Sequence, residues 1–116
     1  MSNQSLGKNG EEIARTHLEK MGYKILEMNK RFSKLCEIDI IAMDKDTLVF
    51  VEVKTRKTDF CGHPLEAITK TKYNHIKQGL YTYLQEHQQY KKFRIDAISV
   101  LIKPEVKIEH LKNISL

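Results

Sequence analysis

Two short charged motifs lie within apolar segments, Glu37-Ile-Asp39 at the start of one and Glu52-Val-Lys54 at the end of another. Side chains alternate between the two faces of a strand, so Glu52 and Lys54 are expected on one face, as are Glu37 and Asp39. Burying such charges is costly unless they are paired or bind a metal. Carboxylates on neighbouring strands are suitable ligands for Mg²⁺ or Mn²⁺, and a nearby lysine can orient a water and stabilise phosphate charge. A set of residues of this kind can perform phosphodiester hydrolysis.

These residues need two adjacent strands to position them. Residues 47–54 begin with an apolar run typical of a central strand buried on both faces. Residues 37–43 form the preceding strand, with Ile38 and Ile40 expected on the face opposite Asp39. Asp44-Lys45-Asp46 is a turn sequence, which predicts a hairpin. In that hairpin Asp39 lies close to Glu52.

The remaining pattern predicts an α/β protein with element order αβββαββ. Apolar residues at helical spacing predict a helix over 10–21, begun by an Asn9 cap and ended by Gly22. A second helix is expected from Pro64 to His87, either continuous or interrupted near Thr69 to Thr71. Further strands are expected over 23–28, 93–102 and 106–110. We expect one domain over 1–116, with a mixed central sheet flanked by helices.

Composition restricts the class of protein. The 116 residues carry a net charge of +5, and a basic surface favours polyanions such as nucleic acid. The sequence has no run long enough for a transmembrane helix and no signal-peptide pattern, which favours a cytoplasmic protein without a membrane partner. Cys36 and Cys61 are expected to be reduced thiols. A zinc site formed by them with His63 would lack the usual ligand spacing.

The charged motifs also have a purely structural interpretation. Glu52 and Lys54 could neutralise each other at a strand edge, and Asp39 could pair with Arg56. The chain would then be an interaction protein whose charges stabilise the fold. The strand pattern by itself does not decide between this interpretation and a metal site.

Several ordered motifs extend along nearly the whole chain. The first and central ones are Gly7-Lys-Asn-Gly10-Glu11-Glu12, Asn29-Lys-Arg31, Glu37-Ile-Asp39 and Phe50-Val-Glu52-Val-Lys54-Thr-Arg56. The later ones are Gly62-x-Pro64, Lys72, Tyr83-Leu84, Arg94-Ile-Asp96 and Ile108-Glu-His110. With these motifs the chain resembles the bacterial YraN family. That family is similar to archaeal Holliday junction resolvases and belongs to the PD-(D/E)XK nuclease superfamily.

The resemblance implies a restriction-endonuclease-like fold and roles for individual residues. Asp39 and Glu52 would hold Mg²⁺ or Mn²⁺ with the backbone carbonyl of Val53, and Lys54 would be the catalytic lysine. Glu11 would be an additional acid near the metal. From the residues alone, the favoured explanation of Glu11 is a first-turn glutamate that complements the helix dipole, and the resemblance makes the two explanations equal.

The resemblance also implies a nucleic-acid partner, with DNA favoured. Arg31, Arg56, Lys57 and Lys72 would contact it, although Lys72 on its own pattern is better explained as part of a solvent-facing helix surface. Resolvases usually act as homodimers, but the sequence contains no unmistakable interface. The expected activity is metal-dependent cleavage of DNA, of branched or recombination-intermediate type. The alternative is a nucleic-acid-binding module on a nuclease fold, with little or no cleavage.

Two positions depart from the family pattern, and one later residue has a structural explanation. Cys36 stands where the family usually has glycine, and its side chain could narrow the site. Ile38 replaces the proline of the superfamily's name. Asp96 interrupts an apolar strand, and we interpret it as a structural partner for an arginine.

Overall fold

The structure, a computed structural model, describes residues 3–57 and 68–115. Two helices and five strands form in the predicted order αβββαββ. They are α1 (Asn3–Lys20), β1 (Lys24–Ser33), β2 (Cys36–Asp44), β3 (Thr47–Arg56), α2 (Lys70–Glu86), β4 (Lys92–Leu101) and β5 (Lys107–Leu111).

The strands form one mixed sheet in the order β1-β2-β3-β4-β5. The predicted hairpin joins β2 to β3, with Asp44 opposite Thr47 and Ile40 opposite Val51. β3 and β4 are parallel, and α2 lies between them in the sequence, as a parallel connection requires. The other neighbouring strands are antiparallel. The central position of β3 explains its apolar sequence, because both of its faces are covered.

Each face of the sheet has its own apolar cluster. Val49 and Val51 of β3 pack on the face that includes Ala14 and Leu18 of α1. Phe50 packs on the opposite face with residues of α2, including Leu80. The alternation along β3 therefore assigns Glu52 to the α2 face, in line with Phe50.

The predicted boundaries need correction in the first half of the chain. α1 begins at Asn3, so Asn9 lies inside the helix and does not cap it. Gly22 has a φ of +93°, which is the left-handed conformation expected after a helix end. β1 continues to Ser33 instead of ending at Met28, with register shifts near Leu26 and Phe32. Because of these irregularities, the sequence of β1 does not alternate regularly between apolar and polar residues.

α2 begins at Lys70, in the region where the sequence allows an interruption of the second helix. Thr69 caps α2, because its hydroxyl accepts the N–H of Lys72 at 3.0 Å. Ile68 and Thr69 are therefore outside the helix, whereas Pro64 lies outside the described residues. β4 and β5 agree with their predicted ranges to within one residue.

Cys36 faces α2 and meets a glycine there. A Cβ on Gly79 would lie 3.0 Å from its Sγ and 3.1 Å from a ring carbon of Phe32. The absence of a side chain at Gly79 thus makes room for the thiol. Cys61 and His63, which the zinc alternative requires, lie outside the described residues.

The architecture confirms the expected α/β fold with a mixed sheet between helices, which is consistent with a nuclease-like fold. None of the helices within residues 3–57 and 68–115 has the length and apolar character needed to span a membrane.

Candidate metal and nucleic-acid site

The predicted site residues line a cavity of about 460 Å³ at one end of β3. We call this cavity the carboxylate chamber. Its walls come from the first half of α1, from β2 and β3, and from the first turn of α2. The lining residues are Leu6, Gly7, Glu11, Asp39, Glu52, Val53, Lys54, Thr55 and Lys72. The structure therefore brings Glu11, Asp39, Glu52 and Lys54 together.

Asp39 is fixed by the backbone of the neighbouring strand. Its Oδ2 accepts the N–H of Val53 at 2.8 Å, beyond the last paired position, Ile40 opposite Val51. The hydrogen bond from Val53 to Asp39 thus comes next after the backbone pairs that join β2 to β3. Ile38 packs on the α2 face and Ile40 on the α1 face, so the predicted common face for these two residues is wrong. β2 departs from regular alternation at Asp39.

Glu52 forms an ion pair with Lys72 of α2, although the sequence suggested Lys54 as its partner. Nζ of Lys72 contacts Oε1 of the glutamate, whose side chain is 7% exposed. Oε2 is also buried and accepts no N–H or O–H from the described residues. The carboxyl of Asp39 is within hydrogen-bonding reach of Glu52, and such a bond requires a proton on one of the two. Glu52 therefore has one paired oxygen and one that lacks a permanent donor.

Glu11 reaches the chamber because α1 lies very close to β3. An added Cβ at Gly10 would lie 1.7 Å from Oγ1 of Thr55, so only glycine permits this approach. The Glu11 side chain lies within hydrogen-bonding reach of Asn29 and Asp39, and a bond to Asp39 requires a proton on one of the two carboxyls. Asn29 has a φ of +53° within β1, at the basic turn noted in the sequence. The dipole explanation does not fit the observed helix, because Glu11 lies two turns after its start at Asn3.

The electrostatics favour protonation of these carboxyls. Burial raises the pKa of Asp39 to about 8, with a further contribution from the charge of Glu52 that the N–H of Val53 opposes. Burial also raises the pKa of Glu52, although Lys72 acts against the shift. The pKa of Glu11 is raised by burial as well. The three carboxyls therefore hold protons more tightly than they would in water, and a cation would have to displace them.

The donor set fits a small hard cation bound by few protein ligands. Over residues 3–57 and 68–115, no group of three or more His, Cys, Asp or Glu side chains is arranged to hold a metal ion. Mg²⁺ commonly needs only one or two carboxylates, with waters and substrate phosphate completing its coordination. Asp39 and the unpaired Oε2 of Glu52 can supply them. Val53 lines the same chamber, but the role of its carbonyl stays a prediction.

The basic residues predicted to bind nucleic acid occupy different surroundings. Lys72 is in the chamber wall, and Lys54 is exposed at its edge. Arg56 donates to Oγ of Ser99 on β4 at 3.1 Å, and Lys57 is exposed just after β3. Arg31 lies on the β1–β2 side and pairs with Glu37 at 2.5 Å. The structure thus brings Lys72 to the carboxylates and leaves the contacts of the others with nucleic acid as predictions.

Asp96 belongs to a separate buried network. It has no exposed surface, and it accepts Arg94 Nε at 2.9 Å and pairs with His110 Nε2 at 2.8 Å. Arg94 also donates to the hydroxyl of Tyr23 at 2.7 Å and to Asp44 at 2.9 Å. The interpretation of Asp96 as a structural partner of an arginine is confirmed.

Lys72 is half exposed, in line with the solvent-facing helix surface predicted for it, but its ion pair with Glu52 was not predicted. The available signal was the Thr69 cap: it begins α2 three residues before Lys72, which places this lysine in the first turn. Asn29 was recognised only as part of a basic turn. Its contact with Glu11 depends on a left-handed residue inside a strand, and periodicity does not reveal such a residue.

A mixed sheet between helices, with acidic and basic side chains at one end of its central strand, defines an α/β protein consistent with the restriction-endonuclease-like fold. The chain belongs to the family described as "Uncharacterised protein family UPF0102", whose model matches residues 10–100. This match confirms the YraN resemblance.

Full-length relatives support the same assignment. A UPF0102 protein of Caldicellulosiruptor saccharolyticus is 46% identical, over 97% of this chain and 98% of the relative. One from Geobacter metallireducens is 43% identical over 97% and 93%, and one from Natranaerobius thermophilus is 38% identical over 97% and 98%.

Proposed function

We propose that this protein is a metal-dependent endonuclease that hydrolyses phosphodiester bonds in DNA. The observation that carries the proposal is the convergence of Glu11, Asp39, Glu52, Lys54 and Lys72 on one chamber. Two adjacent carboxylates and two lysines combine sites for a hard cation and for phosphate. Basic groups outside the chamber would hold the nucleic-acid backbone without reading its sequence.

Asp39 and Glu52 would bind Mg²⁺ or Mn²⁺, which supplies Lewis-acid stabilisation of the phosphate and lowers the pKa of water. The N–H of Val53 orients Asp39, and the contact of Glu11 with Asp39 gives Glu11 a positioning role. Lys54 would orient the attacking water and stabilise negative charge on phosphate. Lys72, released from Glu52, would neutralise a second phosphate oxygen.

A specific observation favours a second candidate, a nucleic-acid-binding module with little or no cleavage. Without metal, Lys72 already neutralises one oxygen of Glu52, and the raised pKa of Asp39 keeps that group largely protonated near neutral pH. Both features oppose metal binding. A chamber of this kind could bind phosphate through its lysines without recruiting a cation.

Cleavage of a labelled panel distinguishes the two functions. The panel contains a four-way junction, a flap, a duplex and a single strand, each incubated with Mg²⁺, Mn²⁺ or chelator. Wild type is compared with Asp39→Ala and Lys54→Ala. The control is Lys24→Ala, at an exposed lysine that begins β1, whereas the other end of β1 is the one that lies near the site. Metal-dependent cutting that is absent from the two site variants and retained by the control supports the nuclease.

Metal binding is measured separately by calorimetry with Mn²⁺. The nuclease proposal expects binding that Asp39→Ala abolishes while the variant keeps the wild-type circular dichroism spectrum. Salt-dependent binding of the panel, with neither cleavage nor Mn²⁺ binding, would instead establish the binding module.

A further inference from the structure

A second cavity, of about 290 Å³, adjoins the carboxylate chamber. We call it the basic chamber. The two share Asp39, Glu52 and Lys72, so these side chains form a common wall. The other lining residues of the basic chamber are Arg31, Lys34, Leu35, Cys36, Glu37, His75 and Ile76. Five structural elements, α1, β1, β2, β3 and α2, therefore line the two chambers, which meet at Lys72.

The two chambers differ in charge. Beyond the shared wall, the carboxylate chamber has Glu11 and Lys54, whereas the basic chamber has Arg31 and Lys34 against the single carboxylate of Glu37. The basic chamber thus has an excess of positive charge directly beside a group of carboxylates.

The guanidinium of Arg31 is held in place. One terminal nitrogen pairs with Glu37 at 2.5 Å, and the other donates to the carbonyl oxygens of Ser33 and Lys34 at 3.2 and 3.5 Å. These contacts fix the arginine at the turn between β1 and β2 while its side chain stays 58% exposed. An exposed, oriented guanidinium is well suited to bind phosphate oxygens.

Lys72 has the position and the donors to serve both chambers. Its side chain is 50% exposed, and its ammonium has three N–H donors, of which the pair with Oε1 of Glu52 needs one. A phosphate in either chamber could accept another of these donors. The shared wall thus includes a cation between two anion positions.

We infer that the basic chamber is a phosphate-binding subsite for the nucleotide next to the reacting one, with Lys72 between the two phosphates of the same strand. The inference rests on the proposed function, in which the reacting phosphate occupies the carboxylate chamber. The substrate class is then a nucleic-acid strand that places consecutive phosphates in the two chambers. A ligand with two phosphates on one nucleoside should bind more tightly than a ligand with one.

The test compares thymidine 3′,5′-bisphosphate with thymidine 5′-monophosphate by calorimetry in the presence of Ca²⁺. Wild type should bind the bisphosphate at least about tenfold more tightly, since one charge-assisted phosphate contact is of that order. Arg31→Gln/Lys34→Gln should remove that preference and leave monophosphate binding nearly unchanged. Equal affinity of wild type for the two ligands, or an unchanged preference in the double variant, overturns the inference.

Matched variants separate charge from structure. Lys24→Gln/Lys91→Gln removes the same net charge at exposed positions near the opposite end of the sheet and should keep the preference. Lys34→Gln alone leaves the Arg31 contacts at the turn intact and should weaken bisphosphate binding about threefold. Loss of the preference in the control pair would mean that net charge alone accounts for it, which also overturns the inference.

Failure of the proposed function is distinguishable from failure of the subsite. Asp39→Ala removes a proposed metal ligand, and in that background the effect of Arg31→Gln/Lys34→Gln on bisphosphate binding should persist. If no substrate of the panel is cut while this effect is present, the subsite stands and the nuclease proposal fails. If cutting depends on Asp39 but the effect is missing, the subsite alone fails.

Discussion

Lys72, in the first turn of α2, contacts the buried carboxylate of Glu52 on the central strand β3. The ammonium lies where a cation bound by Glu52 would compete with it, and it closes the wall between the two chambers. A single ion pair therefore connects the second helix, the acidic residues and the proposed phosphate path. Its consequences can be measured without any assay of activity.

Removing Lys72 should leave the buried charge of Glu52 without its partner and so destabilise the fold. We expect Lys72→Met to lower the free energy of unfolding by about 1 kcal/mol at pH 8, a modest value because the lysine is half exposed. Urea denaturation with and without Mg²⁺ measures it, and Mg²⁺ should stabilise the variant more than wild type, since no ammonium competes. Lys70→Met, at a neighbouring exposed lysine, is the control. Wild-type stability of Lys72→Met at pH 8 would contradict the ion-pair argument.

The pKa of Asp39 predicts a stability that falls with rising pH. The carboxyl ionises near its ordinary value of 3.8 when unfolded and near 8 when folded, so between these values only the folded state holds the proton. The contribution of Asp39 to stability is therefore full below about pH 4 and is lost as pH rises through 8, with a slope of up to about 1.4 kcal/mol per pH unit.

Asp39→Asn should remove this component of the pH dependence and be more stable than wild type at pH 9. Denaturant unfolding curves at pH 5, 7 and 9 would check both effects. A wild-type stability that rises over this range, with Asp39→Asn following the same curve, would show that Asp39 ionises normally in the folded protein.

Gly10 and Gly7 offer a matched pair on the same helix. Gly10→Ala places a Cβ against Thr55 of β3, so it should cost about 1–3 kcal/mol and shift Glu11 away from Asp39. Gly7→Ala meets nothing within 4 Å and should stabilise α1 by up to about 1 kcal/mol. Thermal unfolding measures both, and Thr55→Gly should partly rescue Gly10→Ala. Equal effects of the two alanines would refute the close approach of α1 to β3.

Asp96 should matter for folding and not for the proposed chemistry. Asp96→Asn leaves Arg94 and His110 with a weaker, uncharged partner and should cost about 3 kcal/mol. The pKa of Asp96 is lowered by His110 and Arg94 in spite of burial, so its contribution is present above its ordinary value of 3.8 and lost as pH falls below it.

The control for this network is Asp46→Asn, which removes an exposed pair with Lys92 and should leave unfolding unchanged. Mn²⁺ binding at the carboxylate chamber should be the same in both variants where they are folded. Loss of Mn²⁺ binding in folded Asp96→Asn would assign Asp96 to the site.

Local signals in the sequence predicted the element order, the β2–β3 hairpin and the two motifs that carry the proposed chemistry. Apolar periodicity and turn residues are local signals, and they were sufficient to place Asp39, Glu52 and Lys54 at one end of adjacent strands. The structural role of Asp96 also followed, because a charge inside an apolar strand requires a partner.

The partners of these groups depend on how the folded chain packs. Lys72 meets Glu52 because α2 packs on the face of β3 that holds Phe50, and Glu11 meets Asp39 because Gly10 lets α1 approach Thr55. β2 departs from alternation at Asp39, whose side chain accepts the N–H of Val53, fourteen residues along the chain. Such contacts depend on the packing of distant segments and on single-residue irregularities, which local periodicity does not encode.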